Sequence, residues 1–244
     1  MNPFTVIAPY YDRLMSHVRY KIWVDYTKEI IRRHEIRGKR LLDLACGTGQ
    51  PIRYLIRSGF EVVGLDRSKA MLEIAREKFP EVKFIEGEIQ NFQVDEKFDI
   101  VTSFYDSINY LLEEENLLSC FQGVYQVLHK PGIFIFDMNT IHVLRDHWDN
   151  RIVVREDGNF FSIWENGHNP ETNISTLKLT LFIREGKHYI RLKEIHRERG
   201  YENGFVINCL EEVGFKKALV YEHLTFNPPD HDTDRVMFVG LKCD

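Results

Sequence analysis

Short apolar runs alternate with segments of helical periodicity over most of this chain. Leu41, Leu42 and Leu44 form a run that is long enough for a buried parallel strand and too short for a free-standing helix. Further runs of this kind lie at 61–65, 82–85, 98–103 and 133–137. Because strands that alternate with helices form parallel sheets with helices on their faces, the pattern predicts an α/β fold.

Helices are also predicted outside this series of strands. Residues 4–36 predict two helices, and the second places Ile22, Tyr26, Ile30 and Ile31 on one face. Later helices are predicted over 113–129, which stops at Pro131-Gly132, and over 203–213, which Gly214 closes. The last two strands are predicted over 215–222 and 235–242.

The pattern changes between residues 141 and 200. Side chains alternate strictly over 174–183 and again over 188–197, with Glu185-Gly186-Lys187 between them, which predicts an antiparallel hairpin. Residues 160–165 predict a further strand. The segment is therefore predicted to be an antiparallel β-subdomain inserted into the α/β core.

Composition narrows the functional classes. The chain has 244 residues, 43% of them hydrophobic, and a formal net charge of −5, so it has a core of ordinary size and no basic surface for nucleic acid. Residues 1–19 lack the features of a signal peptide, and no apolar run approaches the roughly 18 residues of a membrane span.

The four cysteines are scattered, which favours a reduced, cytoplasmic setting. His188 and His196 lie too far apart on one strand to share a metal, and we predict no metal site.

The first strand leads into a glycine loop with the sequence Gly47-Thr48-Gly49-Gln50-Pro51-Ile52. Gly47 and Gly49 permit a sharp turn and a close approach of the main chain to a ligand, and the helix that follows presents free N–H groups. Strand, loop and helix together predict a nucleotide-binding corner. A dinucleotide fingerprint requires a third glycine where Ile52 stands, which argues against NAD or FAD.

The run Asp43 to Gly49, D-L-A-C-G-T-G, resembles motif I of the class I S-adenosylmethionine (SAM) dependent methyltransferases. The resemblance covers 1–140 and 201–244. It implies a Rossmann-like three-layer sandwich with a seven-stranded, mostly parallel sheet whose last strand is antiparallel. Residues 1–36 would form a helical lid, and the inserted β-subdomain at 141–200 would cover the acceptor site.

The resemblance implies SAM as the cofactor and S-adenosylhomocysteine as its product. Asp66 lies about twenty residues beyond the glycine loop at a strand end, where a carboxylate accepts ribose hydroxyls. Its alternative role as a helix cap is less favoured because Ser68 is available for it. The expected cofactor-binding residues are Tyr11, Trp23, Ala45, Cys46, Gly47, Gly49, Asp66, Arg67, Met71, Glu88, Ile89 and Phe104.

Several of these residues also have a plain structural interpretation. Tyr11 and Trp23 stand in Y-D and Y-x-x-W patterns that resemble the lid of small-molecule methyltransferases, yet such aromatics also pack helix to sheet. Met71 suits either the adenine ring or the core, and Glu88 suits either the adenine amino group or solvent.

The loop after the fourth strand contains D-S-I-N-Y-L, which resembles a submotif of methyltransferases that act on small metabolites and amino-sugar nucleotides. The expected catalytic residues are Tyr105, Asp106 and Asn109, although Asp106 and Asn109 could instead cap the helix at 113–129. Trp164 and Arg235 are expected to bind substrate, Arg235 through a carboxylate or phosphate.

The sequence thus predicts a SAM-dependent methyltransferase that modifies a nitrogen or oxygen atom of a small molecule. The alternatives are an RNA or protein methyltransferase and a non-catalytic SAM-binding protein. A small-molecule acceptor, no nucleic acid, no membrane and a monomer or homodimer are expected.

Overall fold

The computed structural model describes residues 3–243 and contains two β-sheets. In chain order the strands are β1 (Arg40–Leu44), β2 (Glu61–Asp66), β3 (Lys83–Glu86), β4 (Phe98–Ser103), β5 (Leu128–Asn139), β6 (Ile152–Asp157), β7 (Phe160–Asn169), β8 (Ile174–Glu185), β9 (His188–Arg199), β10 (Lys217–Glu222) and β11 (Arg235–Lys242). Strands β1–β5, β10 and β11 form the larger sheet, and β6–β9 form the smaller one.

The helices confirm most of the sequence pattern. They are α1 (Ala8–Leu14), α2 (Tyr20–Arg33), α3 (Ile52–Arg57), α4 (Lys69–Lys78), α5 (Glu114–Val127) and α6 (Asn203–Val213), with a 3₁₀ turn at Ser107–Tyr110 and a π-helical turn at Val143–His147. Ser68 caps α4 by accepting a hydrogen bond from the Met71 N–H at 3.3 Å. Gly214 ends α6 in the left-handed conformation at φ 116°.

The larger sheet has the strand order β10-β11-β5-β4-β1-β2-β3. Strands β1 to β5 pair in parallel, whereas β11 runs antiparallel to both β5 and β10. This confirms the predicted seven-stranded sheet with a reversed last strand. From β1 the chain builds outward first to β2 and β3 and then to β4 and β5, so a crevice opens beyond the carboxyl ends of β1 and β4.

Alternation along the central strands divides the core into two layers. Leu41 and Ile100 point to the side covered by α2, α3 and α4. Their neighbours Leu42 and Val101 point to the opposite side, which α5 and α6 cover. All four side chains are completely buried. The three-layer sandwich therefore follows from the period of two along each strand.

One predicted helix face is wrong in detail. Ile22 on α2 is 44% exposed, whereas Trp23 and Val24 are buried with Tyr26 and Ile30. Trp23, Tyr26 and Ile30 follow an i, i+3, i+7 spacing, and Ile22 lies at the edge of the stripe they define.

The inserted β-subdomain has one strand more than the sequence pattern predicts. The hairpin of β8 and β9 and the strand β7 are confirmed, and β6 was missed. Ile152 and Val154 of β6 are 67% and 54% exposed. Because this strand lies at the sheet edge and buries no apolar stripe, its β-branched run from Ile152 to Val154 lacks the alternation that marked the other strands of this sheet.

Two further observations concern the cysteines and the apolarity of the helices. All four cysteines are free thiols. Between residues 3 and 243, no helix is both long enough and apolar enough to cross a membrane.

The stability of the core can be tested at Phe136. Its ring stacks on Phe134 and Phe238, with centroids 4.5 and 5.1 Å apart, and is fully buried. We expect Phe136→Ala to lower the free energy of unfolding by about 3–5 kcal/mol, because the remaining cavity cannot close completely. The control Tyr189→Ala, at a residue that is 59% exposed, should change it by no more than about 0.5 kcal/mol in urea unfolding. Equal losses in the two variants would contradict this description of the core.

Candidate active site

A cavity of about 440 Å³ lies beyond the carboxyl ends of β1, β2 and β4. Its volume is in the range of small-molecule sites. The inserted β-subdomain and the N-terminal segment contribute to its walls. Most of the residues predicted from the sequence line it: Tyr11, Ala45, Cys46, Gly47, Asp66, Arg67, Met71, Glu88, Ile89, Phe104, Tyr105, Asp106, Trp164 and Arg235. Trp23, Gly49 and Asn109 lie outside the lining.

The two glycines of the loop serve different purposes. A Cβ atom on Gly47 would meet no protein atom within 4 Å, and the residue lines the cavity with φ 54°. Gly47 therefore leaves open space for a ligand beside the backbone. A Cβ atom on Gly49 would lie 2.9 Å from the Phe79 ring, so this glycine allows the loop to pack on α4 and its end.

Asp66 connects the glycine loop to the start of α4. One carboxylate oxygen accepts the Gly47 N–H and the other accepts the Ser68 N–H, both at 2.8 Å. Burial raises the pKa of Asp66, and the two backbone donors oppose that shift. Because Ser68 caps α4, the carboxylate of Asp66 is left to face the cavity.

Asp43 is a polar group at the base of the cavity that the list of predicted site residues lacks. One oxygen accepts a hydrogen bond from the Thr102 hydroxyl at 2.8 Å, and the other is buried with no hydrogen-bond partner among the residues that the structure describes. Burial raises the pKa of Asp43 to about 7, despite the bond from Thr102. An acceptor atom left unsatisfied beside an open glycine loop fits a ligand that carries N–H or O–H donors, as SAM does.

Apolar and charged side chains form the wall next to Asp66. Met71 is 1% exposed and Ile89 is 9% exposed, and both line the cavity. The Arg67 guanidinium lies 3.8 Å from the Glu88 carboxylate across the same wall. Met71 and Ile89 offer apolar contacts and Glu88 offers a carboxylate, which together suit an aromatic base that carries an amino group.

The N-terminal segment is tied to both sides of the cavity. Asp12 on α1 accepts hydrogen bonds from the Thr48 hydroxyl and from Lys78 on α4. Burial raises the pKa of Asp12, but these bonds outweigh burial and leave it below its ordinary value. Tyr11, the next residue, faces the cavity.

Glu194 on β9 attaches the same segment to the inserted β-subdomain. Its carboxylate accepts hydrogen bonds from the backbone N–H groups of four consecutive residues, Phe4 to Ile7, at 2.7 to 3.2 Å. Burial raises the pKa of Glu194, but the His196 side chain and the N–H groups of Phe4 and Ile7 outweigh burial and leave the pKa below its ordinary value. The position of the segment over the cavity thus depends on a residue of the subdomain.

Trp23 lies one layer behind the cavity. Its ring centroid is 5.5 Å from that of Tyr105 and 4.3 Å from that of His223. Tyr11, which was expected there, and Tyr20 line the cavity, whereas Trp23 does not. Trp23 instead packs in the buried layer between α2 and the larger sheet.

Asp137 at the end of β5 organises the loop that follows β4. Tyr105 and Asp106 have φ angles of 61° and 52°, which non-glycine residues rarely adopt. Their N–H groups donate to the two oxygens of Asp137 at 2.6 and 2.9 Å, and Arg235 donates to it as well. Burial raises the pKa of Asp137 to about 6, and Arg235 opposes that rise.

Arg235 has different partners from those expected. Its guanidinium pairs with Asp137 and lies 2.7 Å from the Asp106 carboxylate. Arg235 is therefore already paired with two carboxylates of the protein where the sequence suggested a substrate carboxylate or phosphate, and its binding of substrate stays a prediction.

Asn109 is a positioning residue rather than a lining residue. Its amide donates to the carbonyl oxygens of Asn139 and Arg199 at 3.0 and 2.9 Å, and its oxygen accepts the Asn139 N–H at 2.9 Å. Asn109 thereby joins β5 to β9. Neither Asp106 nor Asn109 caps α5, because α5 begins after Glu113 without a side-chain cap.

The inner face of the smaller sheet forms the far wall. Trp164 on β7 lines it, and its indole N–H donates to the Ser162 hydroxyl at 2.9 Å. His196 and Glu198 on β9 also line it, both about 4% exposed. They were missed as site residues because β9 carries polar side chains on both of its faces, and its sequence does not show which face is buried. Buried polar side chains at every second position of one strand are rare unless they have partners or a function.

One group of potential metal ligands occurs among residues 3–243. The ligand atoms of His142, His147 and Asp234 lie within 4.8 Å of one another at the base of the inserted β-subdomain. His147 and Asp234 are exposed and form an ion pair at 3.0 Å. The absence of a metal site stays a prediction.

Relatives of the whole chain carry methyltransferase names. Residues 41–132 match the family described as "Methyltransferase domain". A protein of Geobacillus sp. (strain WCH70) that is named as a methyltransferase is 31% identical over 242 residues, which cover 96% of this chain and 98% of that protein. YqeM of Bacillus subtilis (strain 168), also named as a methyltransferase, is 30% identical over 239 residues, 96% of this chain and 95% of that protein.

Solved structures share the architecture. The crystal structure of a SAM-dependent methyltransferase from Clostridium acetobutylicum ATCC 824 has a TM-score of 0.88 and 28% identity, and the match covers 98% of each chain. The sugar N-methyltransferase KedS8 from Streptoalloteichus sp ATCC 53650 has a TM-score of 0.83 at 17% identity over 100% of this chain and 96% of its own, and shares the fold. This chain belongs to the class I SAM-dependent methyltransferases.

A more distant relative is named for its substrate. A dTDP-3-amino-3,4,6-trideoxy-alpha-D-glucopyranose N,N-dimethyltransferase of Streptomyces venezuelae is 28% identical over 131 residues. The match covers 53% of this chain and 55% of that protein.

The role of Asp66 can be tested by SAM binding. We expect Asp66→Ala to weaken SAM binding by about 1–3 kcal/mol in calorimetry, because ribose hydroxyls would lose their acceptor. The control is Glu86→Ala, an exposed carboxylate that pairs in register with Asp66 on the neighbouring strand. Its affinity should equal that of the wild type. An unchanged affinity in Asp66→Ala would remove this residue from the cofactor site.

Proposed function

We propose that the protein transfers a methyl group from SAM to a nitrogen or oxygen atom of a small-molecule acceptor. One observation carries the proposal. A single cavity is lined at one end by Gly47 and Asp66, and at the other by Asp106 and the Trp164 face of the inserted β-subdomain. The methyl donor SAM and the acceptor molecule would therefore meet in one cavity.

The chain's own residues would mainly bind, align and exclude water. SAM supplies an electrophilic methyl group on a sulfonium, so correct alignment of the acceptor atom is the principal requirement. Asp66 would hold the ribose, Met71 and Ile89 would contact the adenine, and Asp43 would accept from a donor of the bound cofactor. Gly49 and Trp23 do not line the cavity. Gly49 would hold the glycine loop in place, and Trp23 would hold the Tyr105 ring in place.

The N-terminal segment would act as a lid. Tyr11 would cover the methyl-donating end of SAM, because α1 is fixed by Asp12 to the glycine loop and by Glu194 to β9. We propose residues 1–36 as lid, 1–140 and 201–244 as cofactor-binding core, and 141–200 as the cover of the acceptor site. Closing such a site excludes water from the reacting atoms.

Several features support a small acceptor. The relatives named for amino-sugar methylation act on small molecules. A net charge of −5 gives no attraction for nucleic acid. We further propose a cytoplasmic setting, which the four free thiols support, and catalysis that does not use a metal.

The cofactor assignment can be tested with thermal unfolding in the presence of SAM, S-adenosylhomocysteine or NAD. A ligand that binds only the folded state adds about 2.7 kcal/mol of stability at 100 times its dissociation constant. We expect both adenosyl ligands to raise the unfolding temperature and NAD to leave it unchanged. Stabilisation by NAD alone would overturn the proposal.

A matched pair of variants locates the binding site. Gly47→Val should abolish the shift with SAM, because the side chain would project into the open space beside the loop. Gly186→Val is the control, since Gly186 has a similar φ of 63° with open space around it and lies in the turn between β8 and β9. The control should unfold at a similarly reduced temperature without ligand and should retain the full shift. A full shift in Gly47→Val would place the cofactor elsewhere.

A further inference from the structure

We propose that Glu198 and Asp106 form a carboxyl pair that binds the acceptor as an ammonium ion, and that Glu198 takes the proton which frees the nitrogen for methylation. This inference rests on the proposed function and narrows it to amine acceptors. Glu198 comes from the inserted β-subdomain and Asp106 from the core, so the two parts would meet at the reacting atom.

Glu198 is held in a fixed position at the acceptor end of the cavity. It lies on β9, lines the cavity and is 4% exposed. Its Oε2 accepts a hydrogen bond from the Asn139 amide at 2.7 Å. Asn139 is in turn fixed by Asn109, which accepts its N–H at 2.9 Å. The carboxyl of Asp106 lines the same cavity and is close enough for its charge to act on Glu198.

Asp106 has an oxygen that remains available. The residue is 6% exposed and lines the cavity. Its Oδ1 is ion-paired with the Arg235 guanidinium at 2.7 Å, and no described residue donates a hydrogen bond to its Oδ2. A carboxylate oxygen at the wall of a cavity that lacks a donor favours a ligand with N–H groups.

The charges around the pair favour a cation. Asp106, Asp137 and Glu198 supply three carboxyl groups, whereas Arg235 supplies one guanidinium. The titratable groups that face Glu198 from the surrounding elements are Asp106, Arg235, Tyr105, Tyr110 and, on β9 itself, His196. If Asp106 and Asp137 are both ionised, they carry two negative charges against the single positive charge of Arg235. One negative charge is then in excess before Glu198 is counted. A neutral hydroxyl acceptor would gain nothing from that excess, whereas an ammonium ion would.

The two carboxyls have different partners. Asp106 is ion-paired with the guanidinium of Arg235, whereas Glu198 accepts a hydrogen bond from the neutral amide of Asn139. Burial and the charge of Asp106 raise the pKa of Glu198 well above its ordinary value. A carboxyl at the cavity wall with a raised pKa is suited to accept a proton from a bound acceptor, as a general base must.

The proposed step balances in protons and electrons. The acceptor enters as R–NH₃⁺ and passes one proton to the Glu198 carboxylate, which leaves a neutral R–NH₂ with a free electron pair. That pair forms the bond to the methyl carbon while the bond from that carbon to sulfur breaks, and sulfur keeps the electrons. The product is R–NH₂⁺–CH₃ with S-adenosylhomocysteine, and the proton on Glu198 later leaves to solvent.

Infrared spectroscopy tests the proton on Glu198 without any acceptor. The protein is saturated with S-adenosylhomocysteine, and the carbonyl band of protonated carboxyls is followed against pH. We expect the wild-type band to contain a component that disappears as the pH is raised and Glu198 becomes the carboxylate that the step requires, and Glu198→Gln should lack this component. Glu194→Gln is the matched control, a buried glutamate on the same strand and ionised through its four backbone donors, so it should retain the component. Identical spectra for wild type and Glu198→Gln would overturn the proposal.

Methyl transfer tests the acceptor class and the base. Labelled SAM is incubated with a panel of amino-hexoses and the corresponding hexoses. We expect label on nitrogen only, and a loss of at least about 100-fold in kcat/KM in Glu198→Gln. The rising limb of the pH profile should move in this variant towards the pKa of the free acceptor amine, which is titrated separately. Label on oxygen, or an unmoved limb, would overturn the proposal.

The two proposals can fail separately. A wild-type protein that is not stabilised by SAM would refute the proposed function. A protein that is stabilised by SAM, with no protonated carboxyl that depends on Glu198, would refute only this inference, and that result stands even where no member of the panel is methylated.

Discussion

A buried carboxylate, Asp137, holds together the edge of the sheet where donor and acceptor would meet. It accepts the N–H groups of Tyr105 and Asp106 and pairs with Arg235, so one side chain joins the ends of β4, β5 and β11. Non-glycine residues with positive φ cost about 1–3 kcal/mol each, and they persist only where the surroundings hold them. Without Asp137, the loop would lose both of its anchors and Arg235 would lose one of its two counter-ions in a buried place, which is costly.

The inserted β-subdomain is coupled to the core through the inward face of β9. Glu194 collects the backbone N–H groups of the N-terminal segment, and Glu198 reaches the acceptor end of the cavity beside Asp106. Asn109 ties the same strand to β5 through the Arg199 carbonyl oxygen. The lid segment, the cover and the reactive loop are thus connected by polar contacts of one strand. Buried polar networks of this kind favour one arrangement, because any other would leave their members unsatisfied.

Local patterns in the sequence predicted the order of the elements correctly, and they failed where tertiary context overrides the pattern. The run from Leu41 to Gly49 predicted the first strand and its loop because both depend on neighbouring residues. Ile22 was assigned to the wrong face, since a helix stripe is read only to within about one residue of its edge. Asn109 was expected either to orient an acceptor or to cap a helix. Its actual partners are 30 and 90 residues away along the chain, and no local pattern could indicate them.

The sequence by itself determined the α/β class and the cofactor-binding loop, because strand period, glycine conformation and chain order are local properties. The seven-stranded sheet was implied by the resemblance to the methyltransferase family. Only the tertiary structure decided what each charged side chain faces. Arg235 was open to a substrate anion in the sequence, and folding places two carboxylates against it. Glu198 looked like one more charged residue on a strand, and folding buries it beside Asp106. The physical reason is that charge pairing and burial depend on distances across the fold, which spacing along the chain does not fix.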